Sequence, residues 1–190
     1  GVEKLFQTAL ERGTALVPVS AGDRLQLGAE TELHFLFPLK EEAGDRGAVH
    51  IESEQNPISV VFLMELAGTR WLFTGDIGVS EEEALLSAWR NAPGGLSRLA
   101  ERPIDVLKVG HHGSKGSTAE FWLDAWRPKQ AVISAGVNNV YGHPSPVVLQ
   151  RLAARNTLVH RTDRDGEVQM FVRDGMIRTR KKLSQGKELN

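Results

Sequence analysis

The chain contains no cysteine. Disulfide partners and thiolate zinc sites are therefore excluded, and any metal must be held by His, Asp or Glu. No apolar run approaches the roughly 18–20 residues that cross a bilayer, and the chain as given is read as soluble. Charge of one sign is also scarce. A formal net charge of -1 excludes nucleic-acid binding by bulk charge and leaves that task to local basic patches. One such patch, Arg178, Arg180, Lys181, Lys182 and Lys187, reads as a solvated terminus, so residues 177–190 are expected to form a flexible tail. An extended groove of alternating aromatic and basic residues is missing too. No repeat or low-complexity block interrupts the chain.

What remains is an ordinary globular composition, with 41% hydrophobic and 25% charged residues in 190. That length supports one domain with a sizeable core. Val2, Leu5, Phe6, Ala9 and Leu10 fall at helical spacing, and Gly13 ends that helix. Ala15–Val19, Arg24–Leu27 and Thr31–Phe37 read as strands. A long polar stretch from Pro38 to Pro57 reads as a loop or lid. Ser59–Leu66 and Arg70–Thr74 flank Ala67-Gly68-Thr69 as a hairpin. Ser80-Glu81-Glu82-Glu83 and Ser117-Thr118-Ala119-Glu120 each match a capping box opening a helix. Ser145-Pro146 caps a third helix. The segment from Thr157 to Val172 reads as a hairpin turning at Asp163–Gly166, and Asp174-Gly175 leads into a last short strand. Strands dominate the first half, and strand and helix alternate in the middle. The class is α/β, with helices outside packed sheets.

Three successive apolar strands end in the same kind of residue. Trp71–Thr74 runs into Gly75-Asp76, Val106–Val109 into Gly110-His111-His112-Gly113, and Ala131–Ser134 into a loop that reaches Gly142-His143. Open α/β sheets bind ligands beyond the carboxyl ends of their strands, and glycine permits close backbone approach there. Asp and neutral imidazole suit zinc or manganese. His111 and His112 would point to opposite sides if the strand stayed extended. One is assigned to metal and the other to orientation, with His111 preferred as the ligand beside Asp76. His34 and His160 read as structural, and His50 as exposed.

Lys108 lies inside an apolar strand, where an unpaired ammonium would cost several kcal/mol. It is expected to face a polar cavity with Asp76 or a phosphate as partner. The alternative is an edge strand with the lysine turned outward. Ser114, Lys115 and Ser117 lead into a helix start whose amides, hydroxyls and cation would favour phosphate. An ordinary N-cap at Ser117 would account for the same residues.

The stretches Asn56–Ile77, Asp105–Thr118 and Ala131–Leu152 together resemble the metallo-β-lactamase-like domain at the end of ComEC-type DNA-uptake channel proteins. The resemblance implies an αββα sandwich and a metal-dependent hydrolase superfamily. It implies partners as well: single-stranded DNA, and a membrane channel portion of the same parent chain, with this domain outside the cytoplasm. Asp76 matches the family's metal-binding aspartate, Lys108 with His111-His112 the next motif, Asn56 and Ser59 the entry to the strand, and His143 the late Gly-His-Pro.

The superfamily's leading H-x-H-x-D-H cluster is absent from the sequence. The expectation is thus an N-terminally truncated sandwich spanning residues 1–190, which holds zinc or manganese weakly or not at all. In the intact domain a metal-bound hydroxide would attack a phosphodiester, with Lys108, His112 and His143 assisting. Ser114, Lys115, Ser117, Asn56 and Ser59 would contact phosphate. Strand guiding without cleavage, or hydrolysis of a small ester or lactone, are the alternatives.

Overall fold

The computed structural model describes residues 2–39, 59–91 and 96–183. A helix, α1 (Val2–Glu11), precedes strands β1 (Arg24–Leu27), β2 (Thr31–Phe37), β3 (Val61–Leu66) and β4 (Thr69–Phe73). Then follow α2 (Val79–Asn91), α3 (Leu96–Leu99), β5 (Val106–Lys108), α4 (Glu120–Trp126), β6 (Gln130–Ile133), α5 (Pro146–Ala153) and β7 (Leu158–Arg161). A single helical turn, α6 (Thr162–Asp165), leads to β8 (Val168–Arg173) and β9 (Met176–Lys181).

Strands β1 to β7 form one sheet in sequence order, and β8 and β9 form a second sheet of two strands. The first four strands are antiparallel neighbours, while β4–β5, β5–β6 and β6–β7 are parallel. Connection length dictates this split. Ala67 and Gly68 both have positive φ, 45° and 80°, which is what a two-residue hairpin with the right twist requires. Parallel neighbours need a crossover, and helices α2 to α5 supply one between each successive pair from β4 to β7.

One face of the large sheet carries Leu63, Leu72, Leu107, Ala131 and Ile133, which join Leu85, Trp89, Trp122, Leu123, Trp126, Val148 and Leu152 of α2, α4 and α5 in the main core. Trp89 meets Trp126 edge-on with ring centroids 5.2 Å apart, a geometry that adds to area burial. The other face carries Phe35, Phe62 and Phe73, with the last two stacked at 4.8 Å. Val168 and Met170 of β8 close over Trp71, Phe73, Val106, Lys108 and Val132, around a cavity of about 160 Å³. The layers helix, sheet, sheet follow the expected sandwich.

Four expectations need correction. Residues Ala15–Val19 form no strand; Pro18 lacks a backbone donor, and Val17 is 75% exposed. The hairpin expected from Thr157 to Val172 does not exist. Strand β7 closes the large sheet, and β8 leaves it to pair with β9. Asp165 directs this switch, because its carboxylate accepts from the Arg161 amide and from Lys181 Nζ, 2.8 Å away. For the same reason the start of the expected tail is ordered: residues 177–181 lie in β9, and only residues 184–190 fall outside the described ones. Finally, Ser117 does not cap α4. That helix start is capped from elsewhere in the fold, as shown below. The Pro38–Pro57 loop lies largely outside the described residues.

Candidate functional site

The carboxyl ends of β4, β5 and β6 converge. After β4, Gly75 turns with φ +52°, and a Cβ there would sit 2.8 Å from Ser59 Cβ. That closeness lets Ser59 Oγ accept from the Asp76 amide at 3.2 Å. Ser59 therefore anchors the backbone of Asp76. Asn56, expected as its companion, lies outside the described residues.

After β5 the chain does not stay extended. His111 (φ 44°, ψ 46°) and His112 (φ 54°, ψ 17°) are both left-handed, a conformation costly for residues with a Cβ and concentrated at functional positions. The His111 amide donates to Gly75 O at 3.1 Å, and Thr74 Oγ1 donates to Lys108 O at 2.8 Å. The turn is thus tied to the Asp76 loop. The bend places both imidazoles on one edge, with ring centroids 6.4 Å apart. An alternating strand would have separated them.

His112 Nδ1 lies 2.8 Å from Ser134 O. A carbonyl can only accept, so Nδ1 carries hydrogen and the tautomer is fixed. His112 Nε2 then faces Asp76 Oδ2 at 3.5 Å. With hydrogen on Nδ1, a neutral ring presents its Nε2 lone pair toward the carboxylate, and the two facing atoms could share a cation. The structure pairs Asp76 with His112, whereas the sequence favoured His111. His111 instead neighbours His143, at 5.9 Å between centroids.

His143 is held by Asn139, whose amide group donates to His143 O at 2.7 Å and accepts from His143 N at 2.8 Å. Tyr141 stacks on its ring at 5.9 Å. Burial, and then the nearby His111 and His112, lower the His143 pKa. No sequence signal marked Asn139, although its place four residues before His143 suits a loop brace. Gly113 seals the two histidine loops together. It has φ +83°, its missing Cβ would lie 2.8 Å from Pro144 Cβ, and its carbonyl accepts from Ser145 N at 2.8 Å.

Lys108 is half-buried and opens onto the cavity between the sheets. Its Nζ donates to Val109 O at 2.9 Å. Burial lowers its pKa, and the charge of Asp76 pulls it partly back up. The lysine and the aspartate thus share one electrostatic environment without a direct bond being required.

The turn from Ser114 to Thr118 departs from the phosphate cradle expected of it. Ser117 is fully buried and its hydroxyl donates to Gly110 O and Ser114 O. The Thr118 and Ala119 amides donate to the two oxygens of Glu82, at 2.6 and 2.9 Å. An internal carboxylate thus occupies the place an anion would take, and Ser117 is not available to substrate. Ser114 remains half-buried and Lys115 exposed. Glu82 is itself fully buried, and burial pushes its pKa up to about 7 against the pull of those amides and of Arg151. Reading Glu82 as one of three acids at the start of α2 hid this role.

A three-ligand metal site needs its donors close together. Among the described residues one group brings three donor atoms within 4.8 Å of one another, and it is Glu32, His34 and Glu65. Asp76, His111, His112 and His143 do not reach that spacing. The donors at this edge fit part of a coordination shell and do not by themselves make a complete site.

A model of the Metallo-beta-lactamase superfamily matches residues 14–137, which include Asp76, Lys108, His111 and His112. The chain is 40% identical over 167 residues to ComE operon protein 3 of Bacillus subtilis (strain 168), covering 88% of this chain and 19% of that protein. It is 32% identical over 128 residues to Competence protein ComA of Neisseria gonorrhoeae, covering 67% of this chain and 17% of that protein. The chain thus spans less than a fifth of the length of these two curated relatives. A solved chain of the CmlA beta-hydroxylase E377D mutant superposes on 88% of this chain and 34% of its own length, with a TM-score of 0.44 and 16% identity. With more than half of its length in the family match, and with acid and imidazoles at the ends of three successive strands, the chain belongs to the metallo-beta-lactamase superfamily.

Proposed function

We propose that the chain is the metallo-β-lactamase-like module of a longer competence protein, and that the edge built by Asp76, His111, His112 and His143 receives a phosphodiester of the incoming single strand. The observation that supports this reading is the delivery of one carboxylate and three imidazoles to one edge by three parallel strand ends. It acquires its biological direction from the likeness to proteins named for competence. In this reading the longer protein sits in the bacterial membrane as a channel, with the module outside the cytoplasm.

The residues divide the work as follows. Asp76, its backbone anchored by Ser59, and His112, fixed by Ser134, leave a seat for a cation between their facing atoms. His143, its pKa lowered by burial and the neighbouring histidines, accepts or returns a proton at a ring nitrogen. Lys108 supplies positive charge beneath Asp76, and Ser114 and Lys115 line the rim where phosphate oxygens pass. Zinc or manganese suits these donors, but the described residues bring too few of them into contact. Hydrolysis is accordingly a property of the longer protein, and this chain alone is inactive. Strand guiding without cleavage is the second reading. It is favoured by the Lys108 ammonium, which opposes a second cation near Asp76.

The test uses an end-labelled single-stranded oligonucleotide with manganese or zinc present. Residues 1–190 are expected to bind it in a salt-dependent way without cutting it, and the longer protein is expected to cut. Rapid metal-dependent cleavage by residues 1–190 contradicts the incomplete site. Absence of binding and cleavage by both proteins contradicts the role in DNA handling.

A further inference from the structure

We infer that Glu32, His34 and Glu65 form a second, separate cation site that takes a divalent transition metal, with zinc the best match. The three residues sit at the opposite end of the sheet from Asp76. Register brings them together: Glu32 and Glu65 are direct partners across β2 and β3, and His34 shares their face two residues along. One donor atom from each lies within 4.8 Å of the others.

Three observations point to a cation here. First, His34 is only 7% exposed, and its Nε2 is buried with no hydrogen-bond partner among the described residues. A buried unpaired ring nitrogen is costly. It is aimed at Glu32 Oε2, 3.4 Å away, and Glu65 Oε2, 4.0 Å away.

Second, both distances exceed the usual range of N–H···O hydrogen bonds. Around a metal with bonds of about 2.0–2.2 Å, neighbouring tetrahedral ligands are roughly 3.3–3.6 Å apart. The Glu32 contact has that length, and Glu65, with a side chain 40% exposed, needs only a small rotation to match it.

Third, the fixed charges do not balance. Arg70 turns its Nε toward Glu65 Oε1 at 3.4 Å, while the rest of its guanidinium is held by the carbonyls of Leu99, Arg102 and Pro103. Arg24, 3.7 Å from Glu32 Oε1, is 67% exposed and contributes little. Among the described residues two carboxylates therefore face one buried, fixed cation, with the exposed Arg102 at the cavity rim. Each turns its Oε1 to an arginine and leaves its Oε2 for the imidazole. An open cavity of about 310 Å³, lined by Gln26, Glu32, Glu65, Arg70 and Arg102 among others, gives a metal and its fourth, water ligand access.

The cation would clip β2 to β3 without touching the Asp76 edge. The experiment titrates zinc into residues 1–190 carrying Asp76→Asn and His112→Gln, which remove the two facing donors of the other edge. One equivalent is expected to bind and to raise the melting temperature. Glu65→Gln and Glu32→Gln are each expected to weaken binding at least tenfold and to abolish the thermal shift. Zinc-edge anomalous diffraction from the unsubstituted chain is the second readout, with a peak expected between His34 Nε2 and the two carboxylates. Equal affinity in the glutamine variants, no zinc binding, or a peak elsewhere with none at this site overturns the inference.

Discussion

The two ends of the seven-stranded sheet hold the same kinds of side chain in different ways. At the carboxyl ends of β4 to β6, Asp76, His111, His112 and His143 sit on loops after the strands. Their positions depend on left-handed backbone, on glycines where a Cβ would collide, and on braces such as Ser59, Glu82 and Asn139. At the other end, Glu32, His34 and Glu65 sit within paired strands and are aligned by register alone. A loop-built site can be moved by a single distant support. A strand-built site has no such lever, so only the loss of a donor should affect it.

The first substitutions break the supports of the loop-built end. Gly113→Ala should have the largest effect. The new Cβ would meet Pro144 at 2.8 Å on a backbone with φ +83°, so a loss of about 2–4 kcal/mol is expected from strain and overpacking together. Denaturant unfolding measures it, and the His111 and His143 ring resonances should both shift.

Glu82→Gln comes next. One of the two amides it serves would face an NH2 group, which costs about 1–3 kcal/mol. The unsubstituted chain also carries a pH signature here. Because the folded pKa of Glu82 is raised to about 7 from an ordinary 4.5, the native state binds this proton more tightly than the unfolded state. The contribution is full below about pH 4.5 and falls as pH rises through about 7. Melting temperatures across that window should show the decline, and Glu82→Gln should flatten it.

Asn139→Ala should cost about 1 kcal/mol, because it removes the bonds that hold the His143 backbone. Its ring should lose its stacking on Tyr141, visible as a changed resonance for His143 and not for His34. The smallest effect belongs to the strand-built end. Arg24→Gln should change stability by no more than about 0.5 kcal/mol; a larger loss would show that this end, too, relies on an outlying support.

The same contrast explains what the sequence made legible. Asp76 and the three histidines stood out because each follows an apolar strand and touches glycine, and those signals are local. The β3–β4 hairpin was legible in Ala67-Gly68 for the same reason. Glu32 and Glu65 meet only through strand register, 33 positions apart, which no short window contains, so His34 read as an ordinary core histidine. Glu82 was hidden because a helix-start acid has a sufficient local explanation. Its bonds to Thr118 and Ala119 are tertiary, and they displaced both the Ser117 cap and the phosphate cradle. The separation of β7 from β8 was illegible because the turn at Asp163–Gly166 resembles a hairpin turn. The deciding contact is the Asp165–Lys181 pair, 16 residues apart.

The most direct test of the central claim, that the Asp76 edge is the working edge, is the rate of the single-strand hydrolysis proposed for the longer protein, measured with and without Asp76→Ala. A loss on the order of 100-fold or more, with strand binding retained, is the expected result. An unchanged rate would contradict the account.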